Sequence, residues 1–179
     1  MISSLKQHLS PSFFDRPVLT VAHELIGCPL VIERNGVTKK LIIHEVEAYD
    51  GPDDLACHGR FGKTERTAAM FGPAGCWYVY LVYGMHWMLN IVTGPEGYPA
   101  AILIRGAGEF DGPGKLTKAL SINKQVNRQP TTPASRLWIE PRTRLIPPSE
   151  IIQAPRIGVD YAGPHWANVP YRFILSLMK

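Results

Sequence analysis

Two glutamates and a tyrosine alternate in Glu45-Val46-Glu47-Ala48-Tyr49, His58 follows nine residues later, and Tyr78, Tyr80 and Tyr83 precede Asn90. A carboxylate at a strand end, close to apolar and aromatic groups, can hold a water as a general base. Tyr and His rings offer flat faces to a planar ligand, and an unpaired nucleobase stacked on such a ring gains about 1–3 kcal/mol. The chain has no G-x-x-x-x-G-K-[ST], no G-x-G-x-x-G and no H-E-x-x-H, so P-loop nucleotide hydrolysis, dinucleotide redox and zincin chemistry lose support. Cys28, Cys57 and Cys76 are odd in number and form no C-x-x-C pair. They are expected to be buried small residues rather than a disulfide frame. A zinc site built on Cys57, His58 and Cys76 lacks a clustered fourth ligand.

These groups need elements to hold them. Alternation over Leu41 to Tyr49 predicts a strand with Ile42, Val46 and Ala48 on one face and Ile43, Glu45, Glu47 and Tyr49 on the other. Asp50-Gly51-Pro52-Asp53-Asp54 then supplies turn chemistry. The run from Trp77 to Val92, rich in aromatic and β-branched residues around Gly84, predicts a β-hairpin with Tyr83 at its tip. Residues 99–105 read as a strand ending in a lone Arg105, which needs a partner if it is even half buried. Gly112-Pro113-Gly114-Lys115 opens a helix whose N-terminal end favours an anion. Pro17 and Gly27 bracket a further helix, with Pro17 in its first turn. The six prolines between residues 128 and 156 predict short strands and loops. The expected architecture is α+β: one mixed domain over residues 1–179, with a curved antiparallel β-sheet, a protruding β-hairpin and flanking short helices.

At 179 residues with 45% apolar side chains, the chain can bury a core. Its longest apolar stretch, the 16 residues from Trp77 to Val92, is interrupted and shorter than the roughly 20 that span a bilayer. Met1 to Lys6 carry no pattern of a signal or transit peptide. The expectation is a cytoplasmic protein without a targeting signal or membrane contact. Residues 1–112 hold nine Lys/Arg against twelve Asp/Glu, whereas residues 113–179 hold ten against three. That second part is a candidate face for a polyanion. A basic face beside stacking rings suggests a nucleobase flipped out of its stack and held between them.

The sequence resembles the alkyladenine (3-methyladenine) DNA glycosylase family of base-excision repair enzymes. The resemblance is carried by Glu45-Val-Glu47-Ala-Tyr49 through His58, Thr64-Glu-Arg66 with Met70-Phe-Gly-Pro-Ala-Gly75, Tyr78-Val-Tyr80-Leu-Val-Tyr83-Gly through Asn90, Ile102-Leu-Ile-Arg105, Gly112-Pro-Gly-Lys115, and Arg156-Ile-Gly158. The resemblance implies a monofunctional hydrolase, with no metal or organic cofactor, that flips alkylated or deaminated purines out of double-stranded DNA. Glu47 would activate the water that attacks C1′, and Arg105 would lie near that water and the flipped nucleotide's phosphate. Tyr49 and His58 would flank the base on one side and Tyr80 on the other. Asn90 would discriminate among purines from the pocket wall, Tyr83 would wedge into the duplex, and Gly114 and Lys115 would contact the DNA backbone. His44 and Val46 depart from the family pattern, but alternation places both away from the Glu47 face. A monomer suffices, since one domain can both wedge and cut.

Two other readings use the same residues. A catalytically silent nucleic-acid-binding module would keep the basic face and the aromatic hairpin. A hydrolase of free nucleosides or sugars would use Glu45 and Glu47 as a carboxylate pair.

Overall fold

The computed structural model describes residues 7–176. Met1 to Lys6, on which the expectation of no targeting segment rests, and the last three residues lie outside the described residues. The described chain forms a nine-stranded, curled antiparallel sheet flanked by a few short helices. This is the mixed α+β architecture expected. The strands are β1 (Pro29–Arg34), β2 (Val37–Asp50), β3 (Trp77–Val82), β4 (His86–Thr93), β5 (Ala100–Ala107), β6 (Phe110–Asp111), β7 (Leu137–Ile139), β8 (Ile151–Ala154) and β9 (Arg172–Leu175). The α-helices are α1 (Pro11–Phe14), α2 (Val18–Leu25), α3 (Pro113–Ala119) and α4 (Gly163–Asn168). The main path runs β3-β4-β5-β2-β1-β7; β6 pairs with β5, and β9 pairs with both β2 and β8. No helix among the described residues is long and apolar enough to cross a membrane.

Strand register separates the two faces of the sheet. Glu47 is opposite Leu103, Leu103 opposite Asn90, and Asn90 opposite Tyr78. Tyr49 faces Ala101 and Tyr80 faces Met88 in the same layer. Directly opposed residues in an antiparallel sheet share a face, so this row forms one continuous floor. The intervening residues Val46, Ala48, Trp77, Val79, Leu89, Ile91, Ile102 and Ile104 fill the main core on the reverse face. Trp77 also donates its indole N–H to the Leu137 carbonyl at 3.1 Å, which leaves this large buried ring no unsatisfied donor.

The alternation predicted for β2 fails at one point. Leu41 and Ile43 are buried with Val46 and Ala48, whereas Ile42 is 44% exposed. Register shifts between β2 and β5 explain it: Ile43 pairs with Ala107, Glu45 with Gly106 and Val46 with Ile104. His44 is therefore an extra residue on β2, and Arg105 an extra residue on β5. A bulge changes the parity of a strand and re-aims a side chain. The first bulge puts His44 against Gly106, where an added Cβ would lie 2.3 Å from the imidazole. On β5, Arg105 keeps the parity of Ala101 and Leu103, and the extra residue returns Ala107 to the core. The strand also continues past Arg105 to Ala107 instead of ending there.

Other expectations need smaller corrections. Pro17 is the N-cap of α2 rather than a first-turn residue; Val18, Val21, Ala22 and Leu25 give the helix its buried face. Cys28 and Cys57 are buried, but Cys76 is only half-buried. Part of the basic excess of residues 113–179 is paired with carboxylates: Arg156 within the interior, Arg172 half-buried and Arg144 at the surface.

Candidate active site

Glu47 is fully buried, at 0% exposure, on the floor of a pocket of about 340 Å³. That volume lies within the range of small-molecule sites. The carboxylate is held from three directions. The Ile157 N–H donates to Oε1 at 2.8 Å, the Tyr49 hydroxyl donates to Oε2 at 2.9 Å, and Arg105 Nη1 lies 3.4 Å from Oε1. Burial pushes the Glu47 carboxyl above its ordinary range, against the opposing pull of Arg105, the Ile157 N–H and Tyr49. A carboxylate with raised proton affinity and fixed orientation suits a general base.

Aromatic side chains make the pocket walls. Tyr49, His58, Tyr78, Tyr80 and Tyr161 all line it. His58 Nδ1 lies 3.1 Å from the Tyr78 hydroxyl, and its ring meets Tyr80 at 70° with 4.7 Å between centroids. Those two rings thus form a corner of the pocket rather than parallel plates. Burial, with help from Arg66 and Arg60, pulls the His58 pKa down to about 4. The imidazole is neutral at physiological pH. Burial, reinforced by the adjacent Glu47 charge, raises the Tyr49 phenol well above its usual value, so it remains a hydrogen-bond donor.

Asn90, 2% exposed, donates its amide nitrogen to the Tyr78 carbonyl at 3.1 Å and the Met88 carbonyl at 3.2 Å. Those bonds fix the orientation of the amide and leave its carbonyl oxygen as the group for a ligand. At the hairpin tip, Tyr83 is 88% exposed with φ of +52°, and Gly84 follows at φ of +69°. The Met85 N–H donates to the Val82 carbonyl at 3.1 Å and closes the turn. Two consecutive positive φ values define the I′ geometry favoured in tight hairpins. A bulky aromatic there carries a conformational cost of about 1–3 kcal/mol. This strain presents the ring outward at the pocket rim.

Glu47, Tyr49, His58, Tyr80, Tyr83, Asn90 and Arg105 therefore converge on one pocket. Gly114 and Lys115 lie outside its wall, just beyond the lining residue Pro113. Lys115 is exposed, and Gly114 packs against His86. Glu45 does not line the pocket and is tied to two arginines instead. That arrangement disfavours a carboxylate pair acting on a sugar.

Sequence reasoning missed the support behind this wall. Arg156 and Asp54 form an ion pair whose side chains are both 0% exposed. Asp54 also accepts from the Asp50 and Ala56 backbone N–H groups, and Arg156 donates to the Ala48 and Trp166 carbonyls. The guanidinium lies 4.8 Å from the centre of the Tyr49 ring. The next residue is Ile157, whose N–H holds Glu47. A backbone donor carries no side-chain signature, and Asp54 sits in a segment whose composition signals only a turn.

The chain is similar in sequence to one known family and to several named proteins. The sequence profile of the methylpurine-DNA glycosylase family matches residues 12–110 and 107–178. A Myxococcus xanthus protein named "Putative 3-methyladenine DNA glycosylase" is 47% identical over 174 residues, which cover 92% of this chain and 88% of that one. Proteins of the same name from Legionella pneumophila (strain Corby) and Methanocella arvoryzae are 43% and 41% identical; each alignment covers 92% of this chain, and 92% and 90% of the relative respectively.

Proposed function

Because the chain belongs to the methylpurine-DNA glycosylase family, we propose that it is a monofunctional DNA glycosylase acting on damaged purines of the 3-methyladenine, 7-methylguanine or hypoxanthine type. The observation that carries this reading is Glu47, a buried carboxylate fixed by the Ile157 N–H and Tyr49 beneath a ring-lined pocket of purine size. The target nucleotide leaves the stack and enters the pocket. Tyr49 and His58 take one side of the base and Tyr80 the other, which requires the 4.7 Å contact between His58 and Tyr80 to open. Glu47 accepts a proton from a water as its oxygen bonds to C1′. The N-glycosidic bond breaks, and its electron pair departs with the purine. Alkylation at N3 or N7 makes the base cationic, which strengthens its stacking on electron-rich rings and eases its departure.

Arg105 sits near the water and the phosphate of the flipped nucleotide, Asn90 filters the base by its acceptor oxygen, and Gly114 and Lys115 meet the DNA backbone. Among the described residues no lysine lines the pocket, so hydrolysis by water is favoured over a Schiff-base lyase step. A silent binding module has no use for a buried, costly carboxylate, and a sugar hydrolase would need Glu45 in the pocket.

The test is base release from a methylated duplex and from a hypoxanthine duplex, with free nucleosides as control. Release from duplex DNA alone supports the glycosylase. Hydrolysis of nucleosides alone, or tight DNA binding without release, replaces it with one of the other readings. Tyr83→Ala should leave the fold intact, because the ring is 88% exposed. It removes the ring that would fill the vacated stack, worth about 1–3 kcal/mol. Base release should fall roughly ten- to a hundredfold, read beside the fluorescence of a 2-aminopurine placed next to the lesion, which should lose its flipping signal.

A further inference from the structure

We propose that Glu45, outside the pocket, is a positioning residue that holds Arg105 away from Glu47 and so keeps Glu47 basic. The inference rests on the reading of Glu47 as the base. Four charges form one chain across three strands. Arg172 on β9 donates from Nη1 to Glu45 Oε1 at 2.9 Å, and Arg105 on β5 donates from Nε to the same oxygen at 3.1 Å. Arg105 then reaches Glu47 Oε1 with Nη1 at only 3.4 Å. A charge-assisted N–H···O bond settles near 2.7–2.9 Å when nothing restrains it. The Arg105–Glu45 contact is thus the shorter of the two, although Glu47 is the more deeply buried carboxylate.

The anchorage of the chain explains this preference. Arg172 is fixed through its Nε to the Pro155 carbonyl at 2.8 Å, and β9 pairs directly with β2 at Glu45 and Glu47. Glu45 is therefore immobilised by a tethered arginine before it engages Arg105. On β5, Arg105 shares the face of Leu103 and sits beside Gly106, the pairing partner of Glu45, so its side chain lies next to Glu45. All four side chains are at most 21% exposed, so solvent screens them little. Two cations and two anions balance. Without Glu45, Arg105 is left with only Glu47 as a carboxylate partner. Arg105 would close on it, and the lone pair needed for water would be taken up by the arginine.

Opposite-sign variants separate this role from simple structural support. Glu45→Gln removes a like charge beside Glu47 and releases Arg105 toward it; both effects lower the proton affinity of Glu47. Arg172→Gln removes a cation and leaves Glu45 committed to Arg105, which raises it. The readout is the titration of Glu47 by carbon-13 NMR of δ-carboxyl-labelled protein, assigned by the signal missing in Glu47→Gln. Alongside it, single-turnover base release is followed against pH. The expected midpoint moves down by about one pH unit in Glu45→Gln and upward in Arg172→Gln. Plateau base release in Glu45→Gln falls about tenfold with little change in lesion-DNA affinity. Glu45→Asp, which restores the charge with a shorter reach, recovers part of the shift, and it and Arg172→Gln decide the matter if Glu45→Gln does not fold. Unmoved midpoints, or both midpoints moving the same way, overturn the proposal. If the wild type releases no base, the glycosylase reading falls, while the NMR titration still decides whether Glu45 controls Glu47.

Discussion

Glu47→Gln is expected to cut base release by about a hundred- to ten-thousandfold, the usual contribution of a general base, while duplex DNA carrying the lesion still binds. Glutamine preserves the shape of the site. Its carbonyl oxygen can accept the Ile157 N–H, and its amide can donate to the Tyr49 hydroxyl, which now donates to the carboxylate. What disappears is the ability to take a proton from water. Base release with wild-type speed would remove Glu47 from the mechanism. In the wild type the acid limb of the rate profile should lie above the ordinary carboxylate range, because burial raises the Glu47 pKa. The same shift has a sign for stability. A carboxyl whose folded pKa exceeds its unfolded value stabilises the fold fully below the unfolded value and loses that contribution as pH rises through the folded one. Thermal unfolding at neutral pH should show Glu47→Gln at least as stable as the wild type.

The second large effect is on the fold itself. Asp54→Ala leaves the Arg156 guanidinium buried without its anion, and breaking such a pair costs about 3–5 kcal/mol. For a chain of this size each kcal/mol lowers the melting temperature by about 2–4 °C, so a fall of roughly 10–15 °C is expected. The functional consequence is larger than the stability loss alone. Arg156 backs the Tyr49 ring and precedes Ile157, so two of the three groups that hold Glu47 lose their support. Base release well below the melting point should drop too. A variant that melts like the wild type would show that the Asp54–Arg156 pair is not a structural anchor.

The sequence made the chemistry more legible than the geometry around it. Alternation grouped Glu47 with Tyr49, while the family resemblance singled out Tyr80 and Asn90; register puts all four in one layer. Tyr83 and Gly84 were legible as a tip because turn chemistry is local. The β2 bulge was not. His44 is an unremarkable residue within an alternating run, and only pairing with β5 shows that the parity changes there. Arg105 announced itself as a cation in need of a partner, but nothing local distinguished Glu45 from Glu47 as that partner. The buried Asp54–Arg156 pair joins residues 102 positions apart. Such a separation leaves no periodic trace. The charge asymmetry was legible only as a sum, since a count of basic residues does not distinguish a solvated side chain from one that pairs with a carboxylate, as Arg156 and Arg172 do.

The two-faced register of the sheet separates two kinds of mutational tolerance. Leu103, Asn90, Met88 and Ala101 project to the pocket floor, whereas their immediate neighbours Ile102, Ile104, Leu89 and Ile91 fill the core. Exchanging a floor residue reshapes the ligand cavity while leaving the packed interior on the reverse face intact. For the glycosylase proposed above, lesion preference is then expected to shift with single replacements on alternate positions. Of these floor positions, Met88 is the one not fully buried, whereas Ala101 also packs in a second buried cluster with Tyr78 and Val92.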